Sequence, residues 1–262
     1  MVFKSLRRAF GVGGPTVDTV LDSPDVQPGG YVSGQVRFAG GDHEVEVERI
    51  VVALQTRVEV EGADSEYDAT VEFQRQQLTG GFRLGPGQQH AVPFQLPVPW
   101  ETPITHMYGQ RLHGMTMGVR TELEVARALD KGDLDPINVH PLPVQGAILD
   151  AFGQIGFRFK AADLERGHIH GVHQTLPFYQ EIEFYAAQQY AGRINEVEVT
   201  FVTDPHGTQV IIEFDKRGGF ISEGHDTISR FQIGHAQAAG INWPAQVDDW
   251  VRQATQRRGW HF

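Results

Sequence analysis

The chemistry-bearing side chains that crowd closest together are the imidazoles of His168-Ile169-His170-Gly171-Val172-His173. Laid out as a strand, this stretch points His168 and His170 the same way, and a turn at Gly171 can return His173 to them. Three neutral imidazoles suit zinc or nickel. The spacing is not the HExxH of a zinc peptidase, and Gln174 and Thr175 follow where a carboxylate ligand would be wanted; the first acid is Glu181. Twelve histidines in the chain make a local group less surprising, and solvated, packed or pH-sensitive imidazoles look the same in sequence. His168, His170 and His173 are the metal-ligand candidates, at the centre of a metal-binding enzyme or sensor.

Other chemistry fares worse. Asp130, Asp133 and Asp135 flank Lys131-Gly132, but the EF-hand order and its distal glutamate are missing. Aspartates that bond their own turn account for that loop. Six serines include none in a G-x-S-x-G elbow, and Ser33-Gly34 has no base beside it in the sequence. Gly11-Val12-Gly13-Gly14 has neither a strand before it nor a Gly-Lys-Ser/Thr after it, so it is no phosphate cradle. Trp100, Trp243, Trp250 and Trp260 could floor a sugar site, yet three fall in the tail, where helix packing explains two. Zero cysteines remove thiol nucleophiles, disulfides and Cys-ligated metals together. The expectation is no catalytic residue and no bound cofactor.

The elements that must position these groups are strands. Val17–Leu21 and Val32–Phe38 flank a turn at Pro28-Gly29-Gly30, the second strand restarting after Gly34. Val45 and Val47 alternate with glutamates, and then Ile50, Val52, Leu54, Thr56, Val58 and Val60 continue on the opposite parity. A change of phase inside a strand predicts a β-bulge at Glu48-Arg49. Val51 and Ala53 predict that the strand's middle is covered on both faces. Val71 and Phe73 resume alternation. Pro93, Pro97 and Pro99 cannot donate to a ladder, so the next segment lies at a sheet edge or is irregular. Met115–Val125 is the longest strict alternation, and Asp204-Pro205-His206-Gly207 joins two later strands as a hairpin.

Helical spacing occurs three times. Phe3, Leu6 and Phe10, with Lys4, Arg7 and Arg8 between them, form a short basic amphipathic helix that packs on the sheet or meets an anionic membrane surface. Ile148, Leu149, Phe152 and Ile155 form a second, closed by Gly156. Val247, Trp250, Val251 and Ala254 form a third, with Asn242 as its cap and Pro244 in its first turn. Pro141-Leu142-Pro143 marks a stiff crossing. The expected organisation is a β-sandwich over 1–143, a second β-sandwich lobe over 144–222 and a helical tail over 223–262.

The chain of 262 residues has a formal charge of −11, from 33 acidic against 22 basic residues. That balance argues against nucleic acid as a partner. No run of eighteen apolar residues occurs, and the first ten residues lack the apolar core of a signal peptide, which together with the absent cysteines predicts a cytoplasmic protein.

From end to end the chain resembles the bacterial sporulation-control family of the SpoOM type. The resemblance is carried by Val17-Asp18-Thr19, Pro28-Gly29, Val32, Gly34 and Val36, then Gly85-Pro86-Gly87 leading into Pro93-Phe94-Gln95-Leu96-Pro97. Asp133-Leu134-Asp135-Pro136-Ile137, Ile148–Phe152 with Gly156-Phe157, and Pro177–Phe184 continue it over residues 2–222. It implies an all-β fold of arrestin-like tandem β-sandwiches with short N-terminal, mid-chain and C-terminal helices. It also implies a non-catalytic regulator acting through protein partners, including developmental or cell-division machinery or a second copy of the chain. Edge strands and the C-terminal helix are the expected docking surfaces. The metal alternative has a direct test: an ion on the three imidazoles would appear as stoichiometric metal in the purified protein and vanish in His170→Ala, whereas the scaffold reading expects none in either.

Overall fold

The computed structural model describes residues 13–61, 66–126, 131–216 and 228–256. The strands begin with β1 (Thr16–Leu21), β2 (Asp25–Val26), β3 (Tyr31–Ala39), β4 (Val45–Glu61), β5 (Glu66–Thr79), β6 (Phe82–Leu84) and β7 (Gln89–Pro97). They continue as β8 (His106–Met107), β9 (Gln110–Arg111), β10 (Met117–Val125), β11 (Lys131–Pro136) and β12 (Asn138–Val139). Helix α1 (Pro143–Gln154) precedes β13 (Arg158–Arg166), β14 (Phe178–Tyr185), β15 (Ile194–Thr203), β16 (Gly207–Lys216) and β17 (Ser229–Gly234), and α2 (Trp243–Gln256) closes the described chain. The all-β class with mid-chain and C-terminal helices is as expected; the helix read over Phe3–Phe10 lies outside the described residues.

Two compact units emerge, each assembled from separated stretches. The first takes the chain up to Arg57 with Thr70–Pro99 and Thr116–Val139. The second takes Val58–Ala69, Trp100–Met115 and the chain from His140 onward.

In the first unit, β1, β3 and β7 form one sheet, while β11, β10 and β4 follow one another in a second, with β5 and β6 also paired to β4. The two layers are stitched where the Thr19 and Thr121 hydroxyls meet at 2.6 Å, and the Thr19 amide donates to Asp133. The bulge falls where the parity changes. Glu124 pairs with Arg49 but Val125 pairs with Val47, which leaves Glu48 as the extra residue. Past it, Ile50, Val52 and Leu54 are fully buried on one face, and Val51 and Ala53 are buried on the other. β7 lies at the sheet edge, as its prolines require.

Two details differ from the sequence reading. β3 runs without interruption through Gly34. That glycine is needed because a Cβ there would sit 2.3 Å from the Val20 carbonyl oxygen on β1. Asp133 and Asp135 belong to a strand, β11, rather than a loop. Its backbone finds partners along β10 from Leu123↔Lys131 to Gly118↔Pro136, and that pairing overrides the turn preference of Asp, Gly and Pro. Asp130 lies outside the described residues.

In the second unit, β13 to β17 follow one another in a single antiparallel run, and Glu59 at the end of β4 pairs parallel with Glu165. The apolar face of this sheet is covered by α1 and α2. Phe152 of α1 stacks on Phe184 with centroids 5.2 Å apart, and Trp250 of α2 stacks on Phe231 at 4.2 Å. Helix α1 starts at Pro143, whose missing N–H costs nothing in a first turn. The Gln145 side chain accepts the Leu142 amide at 2.8 Å, and Gly156 ends the segment at φ +95. Asn242 caps α2 as expected, accepting the Ala245 amide at 3.3 Å. Gly34→Ala is expected to lower stability by about 1–3 kcal/mol, because β1 and β3 must part to admit the methyl group. The check is a fall in the urea midpoint with an unchanged slope.

Candidate functional site

The three candidate imidazoles do not sit on a strand. They lie in the loop between β13 and β14, and His168, His170 and His173 are all exposed. The loop is organised by one amide. Gln174 accepts the Ile169 N–H at 3.1 Å and donates to the carbonyls of Gly167, Leu176 and Phe178 at 2.7–3.1 Å. Gly171 makes the turn at φ +71, and Arg230 donates to the His170 carbonyl at 2.5 Å. The loop leaves all three residues exposed and does not gather their ring nitrogens into one ligand set. Among the described residues, the acids and imidazoles whose ligand atoms lie within 4.8 Å of one another are instead Asp163, Glu165 and Glu181.

Those carboxylates belong to a longer array on the sheet face opposite the helices. Strand register places Asp163 against Glu181, Glu183 against Glu198, and Glu198 against Glu213. Burial pushes the Glu181 carboxyl up to about 8, helped by the charges of Glu198 and Asp163. Burial likewise lifts Glu198 to about 7, with Glu213 adding to it, and Asp163 to about 6, with Glu183 adding to it. Lys160 on β13 answers one end of the array: its ammonium bonds Glu183 at 2.5 Å and also Glu196, which raises the lysine's own value. His168 and His170 border a cleft of about 210 Å³ whose floor carries Glu181, Glu198 and Glu213.

A second concavity of this unit is of the opposite kind. A cleft of about 560 Å³ opens between Pro143, Val144 and Ala147 of α1, Ile241 and Trp243 leading into α2, and Trp100. His235 lies against the Trp100 ring, centroids 5.5 Å apart. A 3-10 turn (Ala238–Gly240) forms one wall, and the Trp243 indole N–H donates to the Ala238 carbonyl at 3.1 Å. Trp243 also meets Trp250 edge-on at 6.2 Å, so the aromatic that anchors α2 fixes the aromatic that lines the cleft. Tyr190 pins the same helix from below: its hydroxyl donates to Asp248 at 2.6 Å. Burial and that carboxylate push the Tyr190 phenol up to about 12. Such a cleft can receive an apolar side chain or ring, with His235 as its polar neighbour.

Of the remaining sequence candidates, Ser33 donates its hydroxyl to Asp22 at 2.7 Å, so its partner is an exposed carboxylate rather than an imidazole base. Trp100 and Trp243 do come together around one cleft, Trp250 goes to helix packing, and Trp260 lies outside the described residues. Neither the acidic array nor the cleft has a local sequence signature. The one available hint is the unbroken odd-numbered run Tyr179, Glu181, Glu183 and Tyr185 on β14, polar where Phe178, Ile182 and Phe184 on the other face are apolar.

The chain matches the family described as SpoOM protein over residues 3–218. It is 32% identical over 216 residues to the sporulation-control protein Spo0M of Bacillus subtilis strain 168, an alignment that spans 82% of this chain and 81% of that one. The crystal structure of Spo0M from Bacillus subtilis has the same fold, with a TM-score of 0.81 at 26% identity over 93% of this chain and 100% of that chain.

The Tyr190–Asp248 bond is the polar tie that holds α2, and with it one wall of the apolar cleft. Tyr190→Phe is expected to cost about 1–2 kcal/mol, the range for a hydrogen bond to a charged group that stays partly solvated. Chemical denaturation measures the loss, and a cost within error of zero would show that aromatic stacking alone places the helix.

Proposed function

As a member of the SpoOM family, the chain is, we propose, a non-catalytic regulator of sporulation or an equivalent developmental decision, acting through contact with other proteins. The observation that carries this reading is the match to a sporulation-control protein across four-fifths of both chains. The family match runs over residues 3–218, and membership of the same family as a regulatory relative, rather than the fold alone, supports the same class of task. The apolar cleft adds a physical means. Proteins recognise one another through a few buried apolar anchors, and a groove lined by two tryptophans, an isoleucine and a valine is built to take one. The net charge of −11 disfavours nucleic acid as the thing regulated.

No helix among the described residues is long and apolar enough to cross a membrane. With a cysteine-free chain, this supports a place in the reducing cytoplasm. The test is complementation. A Bacillus subtilis strain deleted for its own Spo0M should regain heat-resistant spores when this chain is expressed, and Ala239→Glu, a charge on the exposed rim of the cleft, should fail while the protein accumulates normally. Spore counts that stay at the deletion level with the parent chain present would overturn the function. Full rescue by Ala239→Glu would overturn the role of the cleft.

A further inference from the structure

Like charges set directly across a sheet destabilise it, yet β13 to β16 place them so in succession. Asp163 faces Glu181, and two residues along the same strand Glu183 faces Glu198, which in turn faces Glu213, so two short rows of carboxylates meet on β14 and together span four strands. Glu165 brings a further carboxylate oxygen within 4.8 Å of both Asp163 and Glu181. Glu59, from the end of β4, adds its charge at Asp163. Lys160 offsets one end, bonding Glu183 and Glu196 and favouring the charged forms of Glu198 and Asp163, but burial and the neighbouring carboxylates outweigh it there; Arg230 on β17 gives its guanidinium to the His170 carbonyl. His168 and His170 face Glu181, Glu198 and Glu213 across the small cleft, where Tyr179 and Thr200 are the neutral polar neighbours. Around Glu181 the charges that act are those of Glu198, Asp163, Glu165 and Glu213, all of one sign. A half-buried row of this kind cannot be ionised throughout without cost.

We propose that the carboxyl row is a proton-operated switch in the second unit, closed while its central glutamates hold protons and loosened when an alkaline medium removes them. The direction of the acid strengths agrees. Glu181 is held up to about 8, Glu198 to about 7 and Asp163 to about 6, with burial the leading cause for each. The sign follows from linkage. An acid weaker in the folded chain than in the unfolded one contributes stability that is fully present below its unfolded value, 4.5 for glutamate, and is lost as the pH rises through its folded value. The working window therefore runs from pH 4.5 to about 8.

Thermal melting of the full chain and of Glu181→Gln and Glu198→Gln tests this. At pH 4.5 the variants should melt with the parent, because the carboxyl they replace is neutral there. Above pH 8 each should melt higher than the parent by roughly 3–6 °C, while Glu44→Gln, at an exposed position far along the sequence, should show no such widening gap. Coincident melting across the whole range, or variants that melt lower at alkaline pH, overturns the proposal. So does a carboxyl carbon resonance of Glu181 that titrates near 4.5 like a free side chain. A final arm adds millimolar calcium or magnesium above pH 8. If either ion raises the parent as far as the substitution does and leaves Glu181→Gln unmoved, the row holds a cation rather than protons, and the switch is refuted.

Discussion

The structure depends on burying both faces of β4. Between the bulge and Val58 the strand presents Ile50, Val52 and Leu54 to one side and Val51 and Ala53 to the other, and all are shielded from water. A strand apolar on one face alone is held in register by its pattern, since a slip of one residue would turn the pattern inside out. A strand apolar on both faces has no such guard. Here the guard is the bulge, where Glu48 is left over and Arg49 closes on Glu124 at 2.7 Å. The outward acids of the strand's first half are kept out of the core by that single extra residue, and the pairing of β10 changes register at it.

The second unit solves a different problem. Its sheet has one apolar face, and the covering layer is two helices rather than another sheet. Aromatic stacking sets the fit: Phe152 on Phe184 places α1, and Trp250 on Phe231 places α2. The first residues of both helices line the apolar cleft, Pro143 and Val144 from α1 and Trp243 from α2, so the stacking that places the helices also fixes the walls of the cleft. The opposite face, free of any such lid, carries the acids.

How much of this could be read in advance follows the distance over which each feature is encoded. The bulge at Glu48, the double burial of Val51 and Ala53, the edge position of Pro93 and Pro97, the hairpin at Asp204–Gly207 and the Asn242 cap are all written in neighbouring residues, and each was legible. β11 was not, because Lys131-Gly132-Asp133-Leu134-Asp135-Pro136 has turn composition and is a strand only because β10 offers it a full ladder. β17 was missed although Phe231 and Ile233 alternate with Arg230 and Gln232, because the stretch falls within the expected helical tail. The histidine triplet misled because its spacing says nothing about Gln174, whose four bonds organise the loop. The acidic row and the cleft were invisible for a deeper reason: Asp163 meets Glu181, and Trp100 meets Trp243, only through register and packing that no single segment contains.

The prolines of β7 carry one more consequence. Along an antiparallel strand, alternate residues direct their amides to the partner and away from it. Pro93 and Pro97 share one parity with Gln95, and having no N–H they must occupy the outward-facing slots. Between them the rim offers a visiting chain one amide, that of Gln95, where an ordinary edge would offer three. This stretch of the border is therefore close to mute in backbone language, and a visiting strand laid along Pro93–Pro97 would find little to bond, so recognition there falls to shape and side chain.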